Sequence, residues 1–234
     1  MRTSLVLGCL SLLLGAHAAA DELRVADIRL SYGYVPDSGE HMSGRFEDRS
    51  SDGSINRSGT LDAIGVDSER HRFALGYYHS LRALEAGRGS LLLGLDAVND
   101  REDEGSMTQD TLLGQLFIGW VWPLSPEWHI EQGVVLGAGR QRQNLILPDG
   151  FFGGEEFSDT WTGFVYEYGM RIGVRWTTRI GLQVGLDVNY LVMQSKPEFE
   201  DEQDLGGGVT ERITYNPTHR QQGIAVGLCI GYRL

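Results

Sequence analysis

The sequence predicts an all-β fold: an eight-stranded antiparallel up-and-down transmembrane β-barrel, preceded by a cleaved signal peptide. Three observations predict it. Small or polar side chains alternate with large apolar ones over eight segments, the connections between segments alternate between short and long, and an apolar leader opens the chain. Alternation follows from strand geometry, because successive side chains point to opposite faces. In the last segment Ile224, Val226, Leu228, Ile230, Tyr232 and Leu234 share one face, and Gly223, Ala225, Gly227, Cys229 and Gly231 the other. A soluble barrel would turn the bulky face inward. Small residues on the alternate face suit a narrow interior instead, which leaves the apolar face to lipid.

The leader consists of Arg2, an apolar run from Leu5 to Leu14, and a small-x-small site at Ala16-His17-Ala18 or Ala18-Ala19-Ala20. That is the pattern of a secretory signal peptide. The expected division is residues 1–20 as signal and 21–234 as the barrel. No later run approaches the roughly 18–20 apolar residues of a spanning helix. Val6-Leu7-Gly8-Cys9 hints at lipidation, but cleavage there would leave only a few apolar residues before the site.

The other seven segments follow in order. Val25–Tyr34 sets Ile28, Leu30, Tyr32 and Tyr34 against Asp27, Arg29, Ser31 and Gly33. Arg70–Leu81 sets Phe73, Leu75, Tyr77 and Leu81 against Arg72, Ala74, Gly76 and Ser80. Ser90–Val98 and Thr111–Trp122 carry Leu91, Leu93, Leu95, then Leu112, Leu116, Ile118, Trp120 and Trp122, on one side. Trp128–Arg140 opposes Trp128, Ile130, Val134 and Leu136 to Glu131, Gly133, Val135 and Gly137. In Thr162–Trp176, Phe164, Tyr166, Tyr168, Met170, Ile172, Val174 and Trp176 face away from Glu167, Arg171 and Arg175. In Ile180–Tyr190, Leu182, Val184, Leu186, Val188 and Tyr190 face away from Gln183, Gly185, Asp187 and Asn189.

Short connections surround Ala86-Gly87-Arg88, Pro123–Pro126 and Thr177-Thr178, whereas residues 36–69, 99–110, 141–160 and 194–220 read as long, polar, acidic loops. Short periplasmic turns, long extracellular loops and an even strand number are the habit of bacterial barrels. Aromatic placement agrees with that orientation. Tyr77, Trp120, Trp122, Trp128, Trp176 and Tyr232 fall near the short-turn end, and Tyr34, Tyr166 and Tyr190 near the other. Interfaces favour these rings because the body is apolar and the OH or NH reaches headgroups.

Charge excludes some functions. The chain carries 20 basic and 32 acidic residues, net −12, which repels nucleic acid. Removal of the leader leaves Cys229 as the only cysteine, so no disulfide or thiolate metal site is expected, and no cofactor. On the small faces, Asp27, Asp96, Glu131, Glu167 and Asp187 meet Arg29, Arg70, Arg72, Arg171, Arg175 and Arg233. An eight-stranded barrel is only wide enough for side chains to fill. These charges are therefore expected to pair as a plug, or alternatively to line a narrow conduit. The loop acids offer oxygen donors for divalent cations, yet Asp48, Asp52 and Gly53 lack the spacing of a calcium loop.

Architecture and closing strand together resemble the small eight-stranded outer-membrane proteins, the group of the OmpA transmembrane domain, OmpX and OmpW, over residues 24–234. The resemblance implies a monomer in a Gram-negative outer membrane, surrounded by lipid and lipopolysaccharide and inserted by the barrel-assembly machinery. That machinery commonly reads a terminal aromatic; Leu234 departs from this, while Tyr232 is retained. A structural or surface-interaction role is the first expectation, with an external partner the sequence does not name. Passage of small or apolar solutes, through a narrow channel or by a lateral route as in OmpW-like proteins, is the alternative. A second alternative rests on His41-Met42-Ser43, whose spacing resembles the His-x-Ser pair of lipid A deacylases. It reads as lying in a loop with no acidic partner, and His129 and His219 likewise read as lacking partners.

Overall fold

A computed structural model describes residues 26–64, 68–81, 88–104, 107–147 and 157–234. The expected signal peptide and most of the turn at Ala86-Gly87 lie outside the described residues. Ten strands follow one another: β1 (Ala26–Ser50), β2 (Asn56–Ile64), β3 (Ser68–Ser80), β4 (Ser90–Glu104), β5 (Met107–Pro123), β6 (Trp128–Leu147), β7 (Phe157–Thr177), β8 (Leu182–Ser195), β9 (Phe199–Gly206) and β10 (Val209–Arg233). Eight of them, β1, β3, β4, β5, β6, β7, β8 and β10, pair antiparallel with their neighbours, and β1 pairs with β10 to close the ring. The closing register runs from Asp27 opposite Arg233 to Ser50 opposite Glu211. Closure leaves no strand edge in lipid, where an unpaired backbone group would have no water to bond.

Tight turns stand at one end. Between β7 and β8, the amide of Thr178 donates to the carbonyl of Leu182 at 2.8 Å, and Gly181 takes a φ of +88° that a side chain would oppose. Between β5 and β6, the Ser125 hydroxyl accepts from the amides of Glu127 and Trp128 at 3.3 and 3.0 Å.

The opposite end corrects the sequence reading. The stretches expected as loops are largely strand: β1 continues to Ser50, β4 to Glu104 and β6 to Leu147, while β10 begins at Val209. β2 pairs with the upper half of β1 and β9 with the upper part of β10, so a four-stranded sheet in the order β2-β1-β10-β9 rises beyond the ring. About 14 residues each of β1 and β10 extend past the apolar segment, roughly 45 Å of strand.

The pattern reverses along β10 without any break in pairing. In the ring its even-numbered residues, Ile224 to Tyr232, are apolar and face outward. In the projection the odd-numbered Ile213 and Tyr215 are apolar and face inward. Beyond the membrane the outside solvent is water, so the apolar side turns in, as in a soluble sheet. β1 makes the same change with a register shift between Tyr34 and Ser38, which moves the inward set from Arg29 and Gly33 to Met42 and Asp48. Met42, Ile213, Tyr215 and Phe199 then pack with Met107 of β5, Leu145 and Leu147 of β6 and Phe157 of β7 into an apolar cap over that end of the barrel.

Candidate functional site

The charged residues of the small faces all lie inside the ring. Ten of the eleven are 8 % exposed or less, and Arg233, at the short-turn end, is partly exposed. They form two networks at different heights.

The lower network centres on Arg29 of β1. Its guanidinium donates to Glu131 of β6 through both prongs, Nη1 to Oε2 at 2.7 Å and Nη2 to Oε1 at 2.6 Å, and to Asp27 at 2.9 Å. Arg175 pairs with Asp187 at 2.6 Å and approaches Glu131 at 3.4 Å. Gln183 and Arg233 donate to Asp27 at 3.0 and 3.2 Å. His129, for which no partner was expected, lies 3.2 Å from Glu131.

The upper network centres on Arg72 of β3, which grips Glu167 of β7 with both prongs at 2.6 and 2.7 Å and reaches Asp100 at 3.0 Å. Arg70 lies 3.3 Å from Asp100 and donates to Gln221 at 3.1 Å. Gln115 adds a bond to Glu167, and Gln221 one to Glu102. Asp100 and Glu102 were expected among the acids of a loop. They lie on β4 and are buried, because the strand extends beyond the point where its apolar face ends.

Between the networks sits an aromatic layer. The Arg29 guanidinium lies 4.1 Å from the centre of the Tyr78 ring, and that of Arg171 lies 4.3 Å from the centre of Phe117. The Tyr78 hydroxyl donates to Asp96 at 2.5 Å, and Arg171 approaches the same carboxylate at 3.5 Å. Gly76 and Gly94 flank the ring, and a Cβ on either would collide with it. A cavity of about 30 Å³ remains, lined by Ser31, Arg72, Asp96, Gln115, Arg171 and Asp187 among others. That is room for about one or two water molecules.

Above Arg72 a chain of amides continues. Gln109 donates to Gln221 at 3.0 Å, and Gln143 to Gln109 and Gln141 at 3.1 and 3.0 Å. Gln143 ends 2.5 Å from Nδ1 of His219, whose Nε2 meets Glu40. Ser195 Oγ is 3.4 Å from the same Nδ1. Serine, histidine and glutamate thus stand in the order of nucleophile, base and acid, which the sequence reading missed because the three lie far apart in the chain. The nearer Gln143 already engages Nδ1, whichever way its amide is turned, and both Ser195 and His219 are buried.

His41 and Ser43 lie on β1 in the projecting sheet rather than in a loop. Ser43 stands opposite Asp62 of β2 and donates to its carboxylate. The acid the sequence did not reveal therefore holds the serine itself. No hydrogen bond joins His41 to Ser43 among the described residues.

The outer face completes the placement. Leu30, Leu112, Phe164, Met170, Ile172, Leu228 and Ile230 are each more than half exposed, and similar apolar residues cover all eight strands of the ring. Trp120 and Trp122 lie with ring centres 5.9 Å apart, and Trp128 stands opposite Trp176. With Tyr77 and Tyr232 they occupy the short-turn border. Tyr34, Tyr166 and Tyr190 lie toward the other, where Tyr166 bonds Gln194. A closed ring with a continuous apolar exterior and a charged interior is a barrel turned inside out by lipid. The chain is a transmembrane β-barrel.

No protein-family model matches the chain, and no curated protein sequence matches it. Solved structures similar to it include the attachment invasion locus protein Ail of Yersinia pestis, at 12 % identity over 89 % of this chain and 99 % of that one, TM-score 0.33. The outer membrane protease OmpT of Escherichia coli is similar at 10 % identity over 89 % and 97 %, TM-score 0.43. The outer membrane protein OprG of Pseudomonas aeruginosa is similar at 12 % identity over 88 % and 96 %, TM-score 0.38.

Proposed function

We propose that this barrel is a non-enzymatic, non-conducting envelope protein whose interior serves as a rigid brace and whose projecting sheet is its interaction surface. The observation that carries the reading is the pair of cross-barrel straps, Arg29 to Glu131 and Arg72 to Glu167. In ring order β6 lies four strands from β1, and β7 four strands from β3. Each strap therefore spans the full width of an eight-stranded barrel. The apolar cap above them adds a third closure.

An envelope role follows from what remains accessible. The sheet β2-β1-β10-β9 presents Arg45, Arg49, Asn56, Ser58, Thr60, Arg212 and Thr218 on its outer side, a polar surface suited to a hydrophilic partner outside the cell. In this reading the barrel works as a monomer, surrounded by lipid and lipopolysaccharide, after insertion by the barrel-assembly machinery.

Conductance of the purified protein in planar bilayers tests the proposal. Silence, or rare brief openings, is the expected result. Steady ion-selective openings would favour the narrow channel instead.

A further inference from the structure

Asp48 and Asp52 lack the spacing of a calcium loop along the chain, but strand register brings Asp48 to an acid from another strand. On the inner side of the projecting tip, Arg57 of β2 stands opposite Asp48 of β1, and Ser50, the next inward residue of β1, stands opposite Glu211 of β10. Nη2 of Arg57 meets both carboxylates, pairing with Asp48 and lying 3.5 Å from Glu211. The two acids are 0 % and 1 % exposed. The Arg57 side chain, at 47 %, is half in solvent.

One oxygen of this pair has no donor. The Glu211 carboxyl lies within hydrogen-bonding reach of Asp48, yet Asp48 Oδ1 is buried and receives no hydrogen bond from an ionised neighbour. Carboxylates only accept, so what belongs between the two is a proton or a cation. A third acid stands near. Gln203 of β9 lies opposite Glu211 and donates through Nε2 to Asp201 at 3.1 Å, and Asp201, opposite Ile213, shares the inner side. Three carboxylates thus gather around Arg57, the one cation on the inner side of the tip among the described residues. The outer side of the same sheet shows no such deficit: Glu47 pairs with Arg45 and Arg49, and Glu200 with Arg212.

We propose that the tip binds one Ca²⁺ between Asp48 Oδ1 and the Glu211 carboxylate, on the side of Asp48 away from Arg57. No group of three or more acids or histidines forms a metal cage among the described residues, so the ion is held from one side and keeps water over the rest of its shell. Ca²⁺ accepts this because it takes about 6–8 oxygens in loose geometry, whereas Mg²⁺ demands a near-ideal octahedron. Two carboxylates with a guanidinium close by make a weak site, on the order of 10⁻⁴–10⁻³ M, the range of extracellular calcium modules. The bound ion ties the far end of β1 to β10, the pair that closes the ring. The site rests on the register of the tip and does not depend on whether the interior conducts.

Calorimetric titration of the full chain, folded in detergent free of lipopolysaccharide, with calcium chloride at neutral pH tests the proposal, and amide exchange locates the ion. The wild type is expected to take one Ca²⁺, and the ion should slow exchange in the Glu47–Ser50 and Thr210–Ile213 segments but not at the Thr177–Leu182 turn; sodium chloride of equal ionic strength should do neither. Glu211→Gln and Asp48→Asn should each bind about tenfold more weakly, the loss of roughly one charge-assisted contact. Glu202→Gln, on the outer side of the same tip, should bind as the wild type does. Arg57→Gln should bind about tenfold more tightly, because it removes the competing cation, a gain that a merely structural role for the acids would not produce. Absence of binding by the wild type, an equal effect of sodium chloride, unchanged binding by both Glu211→Gln and Asp48→Asn, or weaker binding by Arg57→Gln overturns the proposal. The heat-dependent gel shift of each variant checks folding, and Asp48→Asn stands in if Glu211→Gln does not fold.

Discussion

Arg29 and Glu131 hold each other across the whole barrel, with two hydrogen bonds of 2.7 and 2.6 Å between strands on opposite sides of the ring. Neither side chain is more than 2 % exposed. Their attraction is unscreened by bulk water, and neither charge has an alternative outlet to solvent. The strap therefore ties two strands that share no backbone hydrogen bond.

Removing one end should be costly. Glu131→Ala leaves Arg29 with Asp27 alone and Arg175 with Asp187; breaking such a buried pair typically costs about 3–5 kcal/mol. Urea unfolding of the refolded protein in detergent should show a loss of that order. The double variant R29M/E131L, which removes both charges, should recover part of it. If the double variant is no better than Glu131→Ala, the pair contributes more than the avoidance of an orphaned charge.

The eight-strand ring and the inward set of charges were legible in the sequence because lipid forces a strict alternation. Ile224 to Leu234 can face nothing but acyl chains, and their neighbours Gly227 and Gly231 nothing but the interior. Legibility ended where the solvent changed. Ile213 and Tyr215 have the same strand period as Ile224 and Val226 but the opposite phase, so a reading tuned to an apolar outer face took them for loop. The same error placed Asp100 and Glu102 in solvent. Glu40, Ser195 and His219 were hidden for another reason: their proximity exists only through the closure of β1 on β10 and the pairing of β10 with β8.

The aromatic layer offers a second perturbation. Tyr78→Phe keeps the ring under Arg29 but removes the hydroxyl that donates to Asp96. Asp96 then retains Arg171 at 3.5 Å. A loss of about 1–3 kcal/mol is expected for leaving that buried acceptor short of a donor, measured by the same unfolding assay. Gly94→Val should be worse, since its side chain would need the space the Tyr78 ring fills. If Gly94→Val proves harmless, the ring is not confined as described.

Both serine–histidine sites should be catalytically silent. Ser43 is held by Asp62 rather than by His41, and Nδ1 of His219 is engaged by Gln143 ahead of Ser195. Ser43→Ala and Ser195→Ala, each overexpressed, should give the same lipid A profile as the wild type. A profile that the wild type alters and either variant restores would reassign the barrel as a hydrolase.

At the outer tip, pH should act through Glu211. Its carboxyl is buried beside that of Asp48, and the two share Arg57, which reaches Glu211 at 3.5 Å and also pairs with Asp48. Burial, and then the hydrogen bond and charge of Asp48, hold the Glu211 carboxyl above its ordinary range. The folded tip therefore favours the protonated form, whereas the unfolded segment loses its proton near the usual glutamate value of about 4.3. Below that value Glu211 imposes no penalty; as pH rises through the raised value, ionisation destabilises the tip. Asp52 works in the opposite sense: the Ser50 hydroxyl and the amide and hydroxyl of Ser54 lower it to about 2, so its contribution is present above the ordinary aspartate value and fades only as pH falls toward 2. The tip should accordingly be firmest in mildly acidic solution and looser at neutral pH. Amide exchange in the Glu47–Ser50 and Thr210–Ile213 segments, corrected for intrinsic rates, should be faster at neutral pH than near pH 4.5 in the wild type. In Glu211→Gln, whose amide donates to Asp48 without a charge, exchange should be slow at both. An equal pH response in the two proteins would place the switch elsewhere.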